Sequence, residues 1–351
     1  MTGSEGTLKL DQGRGIFRQA VSFALVLLCS VAFAVPARAQ VIYLNPAAGD
    51  DSFDGSSRRP MGGGRGPVRS LRRALELASP GATIRLVNSD VPYVAGLASD
   101  KPGRGGTPGQ PVVIDGDGAV LLGRMKLPPD VWRYMGNGIY RMQPFRKGYY
   151  QLFLDGKPAE FTDYRPDPEN PEIPALKPLQ WTVRDGQVYF RVKPNSFIND
   201  YALEYPGVGV GLDLFGVSHV VVRNLTAEGF YLDGIVVHGD SRDVRIESAT
   251  LRYNARAGLG VGGTSLVAVV GTRFLDNRFC DLYTYGIPRV NLLRCQLQGG
   301  GDYIVSARGG TVRLIDCLLG RYRRGRFEEL DGMVQVVRGE TTGSGGDGKG
   351  N

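Results

Sequence analysis

The residues with chemistry to offer lie close together in register, though not in sequence. "CDLYTYG" carries Asp281, Tyr283 and Tyr285, "YIVSARG" carries Ser306 and Arg308, and "DGIVVH" ends on His238, one of only two histidines in the chain. Laid over one another, these stretches put Tyr283 above Ser306, and His238, Tyr285 and Arg308 in one column. Tyrosine rings stack on sugar faces, and arginine, acid and imidazole grip or ionise hydroxyls and carboxylates. We therefore read Asp281, Arg308 and His238 as candidate catalytic residues and Tyr283, Tyr285 and Ser306 as candidate substrate-binding residues. A plainer reading competes with this one: any solenoid has polar outer faces, and tyrosine is a good strand former.

The column argument depends on a repeat. "VVVRNLTA", "VRIESATL", "VAVVGTRF", "VNLLRCQL" and "VRLIDCLL" begin at Val220, Val244, Val267, Val290 and Val312, at spacings of 24, 23, 23 and 22 residues. Each unit holds three short runs of alternating polarity and leaves no room for a helix, which means three strands per coil of a solenoid. The first runs point Val220/Val222, Val244/Ile246, Val267/Val269, Val290/Leu292 and Val312/Leu314 inward. The second add Leu225, Leu251, Phe274, Leu297 and Leu319, and the third add Ile235, Leu259, Leu282 and Val305. Outward on the third strand the same alternation places Asp281, Tyr283 and Tyr285. Asn254 and Asn277 share a turn column, where short polar side chains tolerate left-handed backbone and bond along the stack. A β-sandwich would need tight hairpin turns between these strands, and none is present.

The rest of the chain frames this stack. Residues 1–39 combine a basic lead-in, an apolar run from Ala20 to Val35 and an Ala37-Arg38-Ala39 site, the pattern of a cleaved secretory signal peptide. The run is short for a membrane span, so no membrane insertion is expected after cleavage, and a secreted, periplasmic or envelope location is. The leader holds Lys9, Arg14, Arg18 and Arg38 against Glu5 and Asp11, so its removal lowers the net charge from +7 to +5. That mild excess suits an acidic polysaccharide, and with no fitting motif it gives no reason to expect nucleic acid. Three cysteines remain, Cys280, Cys295 and Cys317. The last two share an inward column, as a disulfide or as a ladder of small apolar groups.

Residues 40–126 read as an N-terminal cap and first coils. Ser70 is set to cap a short amphipathic helix with Leu71, Ala74 and Leu75 on its apolar face. Asp50, Ser52 and Asp54 resemble the start of a calcium loop, but Met61 stands where the closing glutamate would be, so tight turns are the better reading. Residues 127–205 break the repeat with aromatic strands and Asp155-Gly156 and Asp185-Gly186 turns, the marks of an antiparallel β insertion with a proline-rich loop. It would either wall a cleft or shield the stack. Residues 206–338 are the main coils, and the glycine-rich tail 339–351 is expected to be disordered.

"YLNPAAGDDSFDG" (43–55), "GPVRSLRRALELASPGATIRL" (66–86) and "GTPGQPVVIDGDGAVLLG" (106–123) resemble the opening of the right-handed parallel β-helix proteins of the pectin-lyase-like superfamily. The resemblance implies an all-β, right-handed parallel β-helix with three strands per coil and a carbohydrate-related role. The matching stretch is the family's cap, so it carries no catalytic residue across. Lyases of this fold that use arginine as base, helped by acidic calcium ligands, would make Arg308 the base and Asp281 a lone ligand. Calcium is thus a candidate cation, with no ligand set in the sequence. No lysine occurs between Lys193 and Lys349, which excludes a lysine base on these coils. A glycoside hydrolase needs two carboxylates about 5–10 Å apart; Asp281 would need Asp233 or Asp302 to reach it from a turn. The expectation is an exported lyase or hydrolase of polysaccharide, with a non-catalytic glycan-binding or envelope β-helix as the alternative.

Overall fold

The computed structural model describes residues 40–89 and 91–337; the expected leader and glycine-rich tail lie outside them. The described chain is all-β apart from one short helix, α1 (Leu71–Leu77), and two single-turn 3₁₀ segments. Three parallel sheets run the length of a solenoid. The first has nine strands, from Val41–Leu44 through Ser218–Arg223 to Gly332–Val337. The second has six, from Val120–Leu122 to Leu318–Leu319, and the third has seven, from Leu97–Ala98 to Phe327–Glu329. This is the parallel β-helix that the 22–24-residue repeat predicts.

Coils pair in strict register. Val220 faces Val244, Val244 faces Val267, Val267 faces Val290 and Val290 faces Val312. The aliphatic columns read from the sequence are buried in one continuous core, with Leu319 at its end partly buried against it. At its N-terminal end α1 adds Leu71, Ala74 and Leu75 to that core. The Ser70 hydroxyl accepts from Arg73 N–H at 3.1 Å and donates to Asp51, which fixes the start of the helix. Asp50 and Asp54 accept from the backbone of Ser52 and Ser56, as turn-makers do.

The corner between the second and third sheets is held by the asparagine column. Asn254 Nδ2 donates to Asn277 Oδ1 at 3.0 Å, and each amide also donates to a backbone carbonyl of the preceding coil, Ala227 and Leu251 respectively. Both residues are completely buried, so each unmade bond would leave a desolvated polar group.

Residues 124–206 leave the coil as expected, building a four-stranded and a five-stranded sheet that are antiparallel save for one short parallel pair. Asp155-Gly156 and Asp185-Gly186 turn the two hairpins, all four residues at positive φ. Trp132, Trp181 and Phe190 form a separate core inside this insertion.

One expectation fails. Strict alternation puts Asp281 on the outer face, but its carboxylate is fully buried on the core side, accepting from Asn277 Nδ2 at 2.9 Å and from the Tyr322 hydroxyl. The third sheet skips a pairing at this level: Cys280 faces Tyr303 and Leu282 faces Val305, with no pair between. One coil on, the consecutive residues Ile304 and Val305 both enter the core. The strand swings through the asparagine corner with two successive side chains inward, a local break in the pleat of the kind bulges produce.

Burial raises the Asp281 pKa to about 7, against the two donors that favour its charge. The neutral acid is thus preferred in the fold. Its contribution is complete below about pH 4 and is lost as pH rises toward 7, a change on the order of 4 kcal/mol. Asp281→Asn removes that titration. Denaturant unfolding from pH 4 to pH 8 is expected to show the variant gaining on the parent as pH rises; a constant difference would show that Asp281 is ionised throughout.

Candidate functional site

The outer face of the third sheet brings together side chains from five coils. One column runs Asp213, Val236, Gly260, Tyr283, Ser306 and Glu328. Beside it stand Phe215, His238, Tyr285 and Arg308, with Gly262 between His238 and Tyr285. Of the candidate residues, His238, Tyr283, Tyr285, Ser306 and Arg308 share this face, and Asp281 does not.

His238 Nε2 lies 2.8 Å from Asp213 Oδ1, and its ring packs against Phe215 at 5.0 Å. The carboxylate therefore fixes the ring orientation and, with the proton on Nε2, leaves the lone pair on Nδ1. Tyr285 starts two coils away, yet its ring lies back across Gly262. A Cβ added to that glycine would stand 2.1 Å from Tyr285 Cζ and 2.5 Å from its hydroxyl. The phenol is thereby directed along the stack toward His238. Burial raises the Tyr285 pKa, and Asp233 and Asp213 add to the rise against Arg256, so the group is a proton donor.

Asp233 uses the other glycine of the same coil, its Oδ2 lying over Gly260. It is fully buried and bound in two places by Arg256, Nε to Oδ1 at 2.9 Å and Nη2 to Oδ2 at 2.5 Å. Burial raises its pKa while the guanidinium opposes the rise. Arg256 in turn stacks on Tyr283 at 4.7 Å and on Tyr149 at 5.7 Å. Tyr149 comes from the insertion; burial, with Tyr283 adding to it, pushes its phenol up to about 12.

At the far end Glu328 Oε2 accepts from Ser306 Oγ at 2.5 Å and lies 3.4 Å from Arg308. Ser306 is accordingly covered, whereas Arg308 is exposed. Burial works against the charge on Arg308, but Tyr283 and Glu328 together outweigh it and raise the pKa. The charged guanidinium is placed to grip an anion.

The insertion supplies the opposite wall. A cleft of about 430 Å³ lies between Tyr149, Tyr150 and Phe161 on one side and Phe279, Arg278 and Arg308 on the other. Phe279 packs against Tyr149, Tyr283 and Tyr303 at centroid distances of 5.5, 6.4 and 5.9 Å. A larger hollow of about 520 Å³ inside the insertion, around Tyr134 and Phe197, has neither a carboxylate nor a histidine in its lining.

The remaining carboxylates near the cleft are engaged. Asp302 is shared by Arg278, Arg323 and Arg324, and Asp233 is held by Arg256. Among the described residues no three His, Cys, Asp or Glu side chains gather as a metal set. Cys295 and Cys317 are free thiols in contact with one another. His219 is held by Asp243 at 2.7 Å, and Glu228 takes Arg124 and Arg252, both structural pairings.

Sequence reasoning missed Asp213, Glu328, Arg256 and Tyr149. Asp213 and Glu328 lie in the strands Leu212–Phe215 and Phe327–Glu329, before and after the recognisable repeat. Had those coils been aligned by their alternation alone, both would have fallen in the Tyr283 column. Arg256 sits in a corner and Tyr149 in the insertion, and no periodic signal marks either.

No protein-family model matches the chain, and no curated protein sequence does. Among solved structures it is similar to a glycoside hydrolase (10% identity, TM-score 0.43, 87% of this chain and 98% of that one). It is also similar to the GH136 lacto-N-biosidase from Eubacterium ramulus (11% identity, TM-score 0.41, 92% of this chain and 57% of that one). A third similar structure is the pectate lyase Pel9A (13% identity, TM-score 0.36, 88% of this chain and 78% of that one). At these identities and scores the likenesses carry no substrate or activity to this chain. Among the described residues no helix is long and apolar enough to cross a membrane.

Proposed function

We propose that this chain is an exported carbohydrate-active protein that binds an acidic glycan across the outer face of its third sheet and cleaves it by β-elimination. The observation that carries this reading is the His238–Asp213 pair facing Tyr285 across Gly262. Arg308 at the next position of the column supplies the cation. The aromatic cleft offers faces for sugar rings. Export rests on the leader sequence at residues 1–39.

In this scheme Arg308 neutralises the carboxylate of a uronate, which acidifies the adjacent C–H. His238, through Nδ1, takes that proton. The electron pair forms a carbon–carbon double bond as the glycosidic C–O bond breaks, and Tyr285 protonates the departing oxygen. A proton later returns from His238 to Tyr285 through solvent. Hydrolysis fits less well. It requires two available carboxylates about 5–10 Å apart, and Asp233, Asp302 and Glu328 are each bound by arginine.

Incubation of the chain from Gln40 onward with uronate polysaccharides is expected to release unsaturated uronate ends, detected by their ultraviolet absorbance. His238→Ala and Tyr285→Phe should each lower that rate by roughly 10²–10⁴-fold while leaving thermal unfolding near the parent value. Gly262→Ala, which removes no reacting group but pushes the Tyr285 ring and its hydroxyl out of place, should cost at least about tenfold. Reducing ends without unsaturation would overturn elimination in favour of hydrolysis. Glycan binding without either product would leave a binding module.

A further inference from the structure

We infer that the corner pocket between the insertion and the last coils is an anion subsite, taking a carboxylate or sulfate-ester substituent of a glycan bound on the third-sheet face. The inference rests on the acidic-glycan reading above. The pocket, about 420 Å³, opens where Lys157 and Phe161 of the insertion meet Arg278, Gly300 and Arg323 of successive coils. Its lining holds three cations and one carboxylate, Asp276, whose Oδ1 already accepts from Gly300 N–H at 3.1 Å.

The arginines here are under-paired beside the other buried arginine–carboxylate pairs. Arg278, Arg323 and Arg324 share the single carboxylate of Asp302 at 3.2, 3.4 and 3.6 Å. Charge-assisted N–H···O bonds are usually about 2.7–2.9 Å, as between Arg256 and Asp233 or Arg252 and Glu228. Arg323 has one short bond, to Asp163 at 2.9 Å. Arg278 has none, and its Nε is buried without a partner. Both guanidiniums also crowd one ring, 3.8 and 4.8 Å from the centre of Phe161. The ring attracts each cation, but two like charges sharing one carboxylate and a desolvated donor are unfavourable together and are relieved by an anion with several acceptor oxygens.

The pocket is also open and connected. A Cβ built on Gly300 meets nothing nearer than Asp276 Oδ1 at 3.8 Å, so the glycine leaves space that a side chain would take. Phe161 and Arg278 line both this pocket and the aromatic cleft, so a chain lying in the cleft can extend a substituent into the corner. Either a uronate carboxylate or a sulfate ester has the required charge and oxygens.

Gly300→Leu tests this without removing a charge, because Gly300 does not have positive φ and its Cβ direction is clear. Calorimetric titrations would use a uronate tetrasaccharide, its carboxyl-reduced neutral counterpart and a neutral tetrasaccharide bearing sulfate esters. At least one acidic ligand is expected to bind the parent at least tenfold more tightly than the neutral one. Gly300→Leu and Arg323→Gln should each lower that preference severalfold with neutral binding unchanged, the remainder belonging to Arg308, and which acidic ligand responds identifies the group accommodated. Unchanged preference in both variants would overturn the subsite. If the His238 and Tyr285 variants still abolish elimination in that case, the subsite alone has failed. No preference in the parent would overturn the subsite together with the acidic-glycan reading.

Discussion

In-register parallel pairing between coils is the constraint on which everything else in this molecule depends. Each residue stands about 4.8 Å above its counterpart in the coil before, so a poor choice at one position is felt by both neighbours. The interior meets this with aliphatic columns of similar volume. The asparagines and Asp281 enter where the stack itself can satisfy them. Asn254 and Asn277 do so by bonding to each other and to carbonyls of adjacent coils. Asp281 is admitted at the end of that ladder because Asn277 and Tyr322 donate to it.

The same constraint builds the outer face. Residues more than twenty positions apart in sequence become neighbours at strand spacing, so a functional array needs no loop to assemble it. What varies is the height of the floor. Gly260 and Gly262 remove side chains from one coil, and Asp233 and Tyr285 from the flanking coils lean into the space. Two glycines thereby let groups from the coils on either side approach one another across the coil between them. Arg256 completes the arrangement by neutralising Asp233 beneath Tyr283 and Tyr149, so that the aromatic floor rests on a paired charge.

Much of this was legible in the sequence, because a repeat turns register into arithmetic. The five valines at 22–24-residue intervals give the columns, and the columns place His238, Tyr283, Tyr285 and Arg308 on one face. Turn chemistry was equally readable at Asp155-Gly156, Asp185-Gly186 and Ser70, where local backbone need decides the residue. The reading failed where a residue's direction depends on something other than alternation. Asp281 turns inward because the strand bends at the asparagine corner, as the paired burial of Ile304 and Val305 shows. Tyr149 and Phe161 reach the cleft only through the packing of an insertion that shares no period with the coils.

One arginine ties the root of that insertion to the coils. Arg124, at the root of the insertion, bonds Glu204 on the returning strand at 2.9 Å and Glu228 on the second sheet at 2.6 Å. Its guanidinium also lies 5.4 Å from the Phe153 ring centre. All three charged groups are largely withdrawn from water, and such networks add little net stability because desolvation offsets their attraction. Their effect is to penalise any other placement, since a shift of the insertion would strand a buried charge. The insertion has its own core around Trp181 and Phe190. With the Arg323–Asp163 pair, the Arg124 network at its root holds Tyr149 over Arg256 and Phe161 over Arg278. The cleft is defined by the coil face, the wall the insertion supplies and the charges that join them.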